Sequence, residues 1–257
     1  MLRQERWSLR PRIVYMRYKI LWVFIMKTAD RELSISILSP IIYDKIKTNI
    51  ILLITGPPGS FKTVLMANII ADVIKYANLY AIYLDASGMG RKFEDYLAFM
   101  RVPIRSPLIG GRFITMDLVK MSKESPEKDI SEVLYSVRET SSEVLENKLA
   151  AIVIDPLDSP FVKLRPDYGL PVLVKALIDL KNDLRILGIV VNDTKRSREL
   201  IETLAVISDA WLVTGFVSLK EKRIPAVKVK KFRGVRHSYD THPIILAEKG
   251  LRIGNPL

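Results

Sequence analysis

The chain has 257 residues, of which 49% are hydrophobic and 26% charged, with no cysteine, two histidines and a formal net charge of +12. Such a composition excludes a disordered tail, a collagenous repeat and a disulfide-stapled scaffold, and it leaves no thiolate metal site or cysteine nucleophile. With two histidines, a histidine-rich zinc or iron centre is also disfavoured.

The charge is concentrated. Residues 1–27 carry seven bases against Glu5, and residues 220–236 carry eight against Glu221, so the remainder is close to neutral. Two basic clusters on a neutral globule suit polyanions: nucleic acid, an acidic membrane surface or nucleotide phosphates. The apolar run Ile20 to Met26 falls well short of the ~20 residues that span a bilayer. Its basic lead-in is too long for a signal peptide and no A-x-A pattern follows it, so a cytoplasmic protein without a transmembrane segment is expected. Residues 1–48 read as a basic N-terminal extension, with Met26 as an alternative initiator that would make the first 25 residues dispensable.

From Asn49 onward strands and helices alternate. Ile50 to Thr55 is apolar without alternation, as a strand buried on both faces of a parallel sheet reads. A loop, Gly56 to Thr63, leads into a helix with Leu65, Met66, Ile69, Ile70, Val73 and Ile74 on one face. Strands are expected at Leu79–Leu84, Arg112–Met116, Leu149–Ile154 and Ile189–Val191, and helices at Phe93–Arg101, Asp129–Lys148, Pro171–Leu187 and Arg198–Ile207. The helix at 171–187 rests on leucines at four-three spacing and on Gly188 as its stop. Four strands then follow: Ala210–Leu219, Ile224–Phe232, Pro243–Leu246 and Leu251–Ile253. Repeated β-α units with a terminal run of strands predict a three-layer α/β domain over 49–257, its sheet mainly parallel with antiparallel C-terminal strands.

The loop matches G-x-x-x-x-G-K-[ST] in its strand-loop-helix setting, with Gly56, Gly59, Ser60, Lys62 and Thr63 in place and Phe61 where the second motif glycine belongs. In such a P-loop the backbone amides cradle phosphates, the lysine neutralises β/γ charge and the hydroxyl holds Mg²⁺. A benzyl group at the glycine position must point away from the nucleotide or crowd it. The acidic partner for Mg²⁺ is Asp155, at the end of the apolar strand Ala150 to Ile154.

These features, with Ile207-Ser208-Asp209-Ala210 and Val229-Lys230-Lys231-Phe232-Arg233-Gly234-Val235-Arg236-His237, resemble the RecA/KaiC superfamily of P-loop ATPases over residues 49–254. The likeness is greatest to single-domain archaeal KaiC-like proteins, which implies a RecA-like fold binding ATP and Mg²⁺. It also implies that Lys231 and Arg233, two apart on one strand, reach a neighbouring subunit's γ-phosphate in a homo-oligomeric ring or filament. The sequence departs from the family after the second strand. Where KaiC-like relatives carry a Glu-Glu pair, this chain has Asp85-Ala86, leaving Asp85 as the candidate water-positioning acid and hydrolysis slow or absent. Asn192-Asp193 stands where RecA relatives carry Asn-Gln. Two other readings stay open: a non-catalytic assembly or regulatory platform, and a DNA-binding recombinase paralogue drawing on the basic clusters.

Overall fold

The structure, a computed structural model, describes residues 32–33, 35–75, 79–90, 92–145, 148–164, 169–219, 221–247 and 250–257. The first basic cluster and Met26 lie outside the described residues. Two short antiparallel strands, β1 (Glu32–Leu33) and β2 (Ile46–Lys47), flank a 3₁₀ turn at Ser36–Leu38. The alternating part follows as β3 (Ile50–Gly56), α1 (Lys62–Ile74), β4 (Tyr80–Asp85), α2 (Lys92–Phe99), α3 (Arg105–Ile109), β5 (Phe113–Asp117) and α4 (Leu118–Glu124). It continues through α5 (Ile130–Val144), β6 (Leu149–Asp155), α6 (Gly169–Lys181), β7 (Ile186–Asn192) and α7 (Arg198–Ile207). Four strands close the chain: β8 (Ala210–Leu219), β9 (Lys222–Phe232), β10 (Thr241–Ala247) and β11 (Gly250–Ile253).

Among the described residues the main sheet runs β11-β10-β9-β8-β3-β7-β6-β4-β5. The strands from β8 to β5 are mutually parallel, and β9, β10 and β11 add antiparallel pairings. All seven residues of β3 are buried because both sheet faces are covered. Ile50, Leu52 and Ile54 pack with α1 on one face, and Ile51 and Leu53 with α6 and α7 on the other. The expected three-layer, mainly parallel α/β architecture is therefore what the chain adopts.

One helix boundary differs from the sequence reading. α6 ends at Lys181, and Leu187, assigned above to the helix, pairs with Ile51 and Ile152 inside β7. The apolar run of a doubly buried strand happened to continue the leucine spacing of the helix. Gly188 is no helix stop: a Cβ there would lie 2.8 Å from Met66 Sδ, so the residue lets α1 press onto the sheet. The helix expected from Asp129 begins as read, since Asp129 and Glu132 form a reciprocal capping box.

Residues 32–33 and 35–48, which the sequence reading groups with the N-terminal extension, pack on the α1 face. Leu38 and Ile41 are fully buried there. Ser36 Oγ donates to Asp72 on α1 at 2.6 Å, and the Ser238 amide donates to the Ile41 carbonyl at 2.9 Å. Arg236 forks onto Asp44, with Nε and Nη2 donating to Oδ1 at 3.0 and 2.8 Å, which accounts for one base of the second cluster. That contact holds the half-buried Asp44 carboxyl below its ordinary range.

Candidate functional site

Parallel α/β sheets bind ligands beyond the carboxyl ends of their strands, where loops and helix N-termini converge. Here that edge carries a cavity of about 790 Å³, lined among others by Gly59, Lys62, Thr63, Asp155, Asp158 and Asn192. Its size fits a nucleotide-sized ligand.

The loop from β3 to α1 is shaped by three residues. Gly56 sits against β8, and a Cβ there would lie 2.3 Å from the Thr214 carbonyl oxygen, so close strand packing demands glycine. Gly59, at φ +79°, takes a left-handed conformation that L side chains disfavour. Phe61 takes φ +65° and ψ +20°, a left-handed geometry that favours glycine. A non-glycine residue in that region costs roughly 1–2 kcal/mol. The phenyl ring is half-buried and packs against the α1-side core, which offsets part of that cost.

Lys62 and Thr63 open α1. Lys62 is 7% exposed, and its Nζ donates to the Pro57 carbonyl at 2.8 Å, folding back over the loop. Burial pulls the ammonium below its ordinary pKa, opposed by Asp155, Asp158 and Asp193. Ser60 is fully buried and points away from the cavity. Its hydroxyl donates to the Pro57 carbonyl at 2.7 Å and lies 2.6 Å from Thr214 Oγ1, and its amide makes a long bond of 3.3 Å to the same carbonyl, which closes the turn of the loop.

Asp155, Asp85 and Asp117 end three adjacent strands in register. Their environments separate them. Asp117 caps α4, accepting from the Lys120 amide at 3.0 Å. Asp85 is 1% exposed and is drawn into its own loop. Its Oδ1 accepts from the Ser87 amide and hydroxyl at 2.8 and 2.5 Å, and its Oδ2 from the Gly90 amide at 3.2 Å. Of the three, only Asp155 lines the main cavity. It accepts from the Tyr83 hydroxyl at 2.5 Å and bonds to the Thr63 side chain. Burial raises its pKa to about 6, against the lowering effects of Tyr83, Thr63 and Lys62. The Asp155–Pro156 peptide is cis.

Across the cavity Asp158 Oδ1 accepts from both the amide and the Nδ2 of Asn192, at 2.9 and 3.1 Å, and its Oδ2 accepts from Ser197 Oγ at 2.9 Å. The cavity wall is thereby tied to the N-terminus of α7.

Lys231 and Arg233 lie away from this cavity. Lys231 Nζ donates to the Ala205 carbonyl at 2.6 Å, and Arg233 Nη2 to the Val206 carbonyl, also at 2.6 Å. Both cap the C-terminus of α7, where cations suit the free carbonyls. Burial, and then the neighbouring Arg233, lower the Lys231 pKa.

A hard-oxygen pair, Thr63 and Asp155, beside a buried lysine and a ring of loop amides is a donor set fit for a magnesium-bound polyphosphate. A family model described as "ATPase: KaiC" matches residues 32–257. The chain belongs to the KaiC family of ATPases. Membership implies ATP binding. Among solved structures, the KaiC-like protein PH0186 of the hyperthermophilic archaeon Pyrococcus horikoshii OT3 is similar at 17% identity, covering 85% of this chain and 94% of that one, with a TM-score of 0.67. The flagellar accessory protein FlaH of Methanocaldococcus jannaschii is similar at 14% identity, covering 87% and 98%, with a TM-score of 0.69. Both show the fold. A search among curated proteins returned no match. Among the described residues no helix is long and apolar enough to cross a membrane.

The structure adds cavity residues that the sequence reading passed over: Tyr96, Ser159, Phe161 and Thr194. They come from three separate loops and helices with no shared spacing, so nothing short of the fold collects them.

Proposed function

We propose that this KaiC-family protein binds ATP with Mg²⁺ and hydrolyses it slowly or not at all, at sites completed between subunits. The observation that carries the reading is the convergence of Lys62, Thr63 and Asp155 on one cavity at the carboxyl edge of the sheet. Lys62 leaves the Pro57 carbonyl to meet β/γ-phosphate oxygens, while the amides of Gly59 to Thr63 hold the phosphate chain. Thr63 and Asp155 would hold Mg²⁺, which supplies charge neutralisation across the phosphates. Slow turnover follows from Asp85: both its oxygens accept bonds from the β4–α2 loop, so this shortened acid is poorly placed to activate water. Lys231 and Arg233 are our candidates for the trans contacts of a homo-oligomer. In an assembly they would exchange the α7 carbonyls for a neighbour's phosphate.

The restraint on Asp85 and the left-handed Phe61 also support a second reading, a nucleotide-holding or empty platform for assembly or regulation. A recombinase reading draws on the exposed bases Lys195, Arg196 and Arg198, but β7 passes through a single 3₁₀ turn directly into α7, with no long loop to lay on DNA. Titration with ATP·Mg²⁺, followed by hydrolysis measured at saturating ATP, separates the first two. Binding with slow turnover supports the ATPase reading, binding without turnover supports a nucleotide-holding platform, and no binding leaves the empty platform.

A further inference from the structure

Asp155 ends β6 among apolar neighbours, and a fully buried carboxylate needs a fixed set of donors if it is to present one geometry to a cation. One of those donors comes from the adjacent strand. β4 is buried on both faces; Ala81 and Tyr83 point to the α1 side, Ile82 and Leu84 to the other. Tyr83 lies opposite Val153 in the β4–β6 register, two residues before the Asp85–Asp155 pair. Its phenol spans that distance along the strand, and the hydroxyl donates to Asp155 Oδ2 at 2.5 Å with the whole side chain inaccessible to solvent.

The ring is itself held. Phe93 from α2 lies 5.0 Å away, centroid to centroid, and Phe113 from β5 lies 5.8 Å away and stacked. Both neighbours are buried, so the phenol has little freedom to swing and the hydroxyl position is set by three elements at once. An apolar residue would fill the same core volume without the hydroxyl. A buried tyrosine whose hydroxyl reaches the one strand-end aspartate facing the cavity is more than packing requires.

We infer that Tyr83 is a positioning residue: its hydroxyl locks the rotation of the Asp155 carboxylate, so that the acid is preset for a divalent cation beside Thr63. The inference rests on the ATP·Mg²⁺ reading above. Tyr83 touches neither nucleotide nor cation and acts only through Asp155.

The test is equilibrium ATP binding by wild type and Tyr83→Phe, first in EDTA and then across a Mg²⁺ titration. Tyr83→Phe keeps the ring and its stacking and removes only the hydroxyl. Affinity in EDTA should be unchanged, while the Mg²⁺ concentration giving half the metal-dependent tightening should rise about tenfold, as expected when a partner of a metal ligand is lost. In an Asp155→Asn background the same change should add nothing. Equal Mg²⁺ dependence of wild type and Tyr83→Phe overturns the role of Tyr83 and leaves the ATP·Mg²⁺ reading intact. A wild type that binds ATP with no Mg²⁺ dependence overturns both. If Tyr83→Phe does not fold, Phe93→Leu loosens the ring's seat with the hydroxyl retained; a smaller rise in half-saturating Mg²⁺ is expected there, and no rise overturns the inference.

Discussion

Replacing Asp155 with asparagine exchanges a buried carboxylate for a neutral group of nearly the same shape. Burial raises the folded-state pKa of Asp155 from its ordinary 3.8 to about 6. A raised folded pKa means that the acid's contribution to stability is fully present below its unfolded pKa and is lost as pH climbs through about 6. With these two values, the charged form penalises the folded chain by roughly 3 kcal/mol at pH 8 and by about half of that at pH 5. The neutral asparagine amide would carry no such penalty. The stability advantage of Asp155→Asn over wild type, without nucleotide or metal, should therefore grow by about 1.4 kcal/mol between pH 5 and pH 8. Urea unfolding at both pH values measures it, and taking the difference between the two proteins cancels the other titrating groups. The same variant should lose the Mg²⁺-dependent part of ATP binding, which makes Asp155 a group that costs stability and serves a ligand. An advantage that is constant with pH, or that shrinks toward pH 8, would refute the idea that burial dominates the carboxylate.

Phe61→Gly removes left-handed strain and also removes a half-buried ring, two effects of opposite sign and each about 1–2 kcal/mol, so thermal unfolding should move little. Phe61 lines the cavity, but its ring also packs against the α1-side core, so ATP affinity should change little; a marked tightening would show that the ring crowds the phosphate loop. Gly56→Ala places a methyl 2.3 Å from the Thr214 carbonyl and should destabilise the fold severely, seen as loss of soluble protein or of a cooperative melt. Arg233→Ala should leave stability nearly intact, since Asp209 retains Lys181 at 2.7 Å and the Ile51 amide at 2.9 Å. If Arg233 also completes a neighbour's site, mixing Arg233→Ala with Lys62→Ala protein should restore turnover that neither has alone. Failed rescue, together with activity per molecule that does not rise with protein concentration, would confine Arg233 to capping α7.

The parts of the site that sequence revealed are those fixed by local geometry. The unbroken apolar run of β3, the glycines of the loop and the lysine-threonine start of α1 occupy one continuous stretch, so their spacing alone placed them. Asp155 could be read because a charged residue ending a doubly buried strand is conspicuous. Asp85 was picked out by the family resemblance, and the sequence could not show the loop closing around it, since its bonds to Ser87 and Gly90 depend on the turn adopted after β4. The single-chain partners of Lys231 and Arg233 were equally hidden: the α7 carbonyls they cap lie some 25 residues earlier in the chain. Leu187 misled for a simpler reason: apolar residues every three or four positions do not distinguish the end of a helix from the start of a buried strand. A Tyr within an apolar strand was the one overlooked local signal, because a buried phenol needs a hydrogen-bond partner and the partner is informative.

The central claim is that Lys62 and its loop hold ATP with Mg²⁺, and calorimetric titration of ATP·Mg²⁺ into wild-type and Lys62→Ala protein tests it directly. Loss of a charge-assisted bond to phosphate is worth roughly 1.5–3 kcal/mol, so the account predicts saturable wild-type binding that weakens about ten- to hundredfold in the variant. No binding by wild type at millimolar ATP·Mg²⁺, or equal binding by the two proteins, would contradict it.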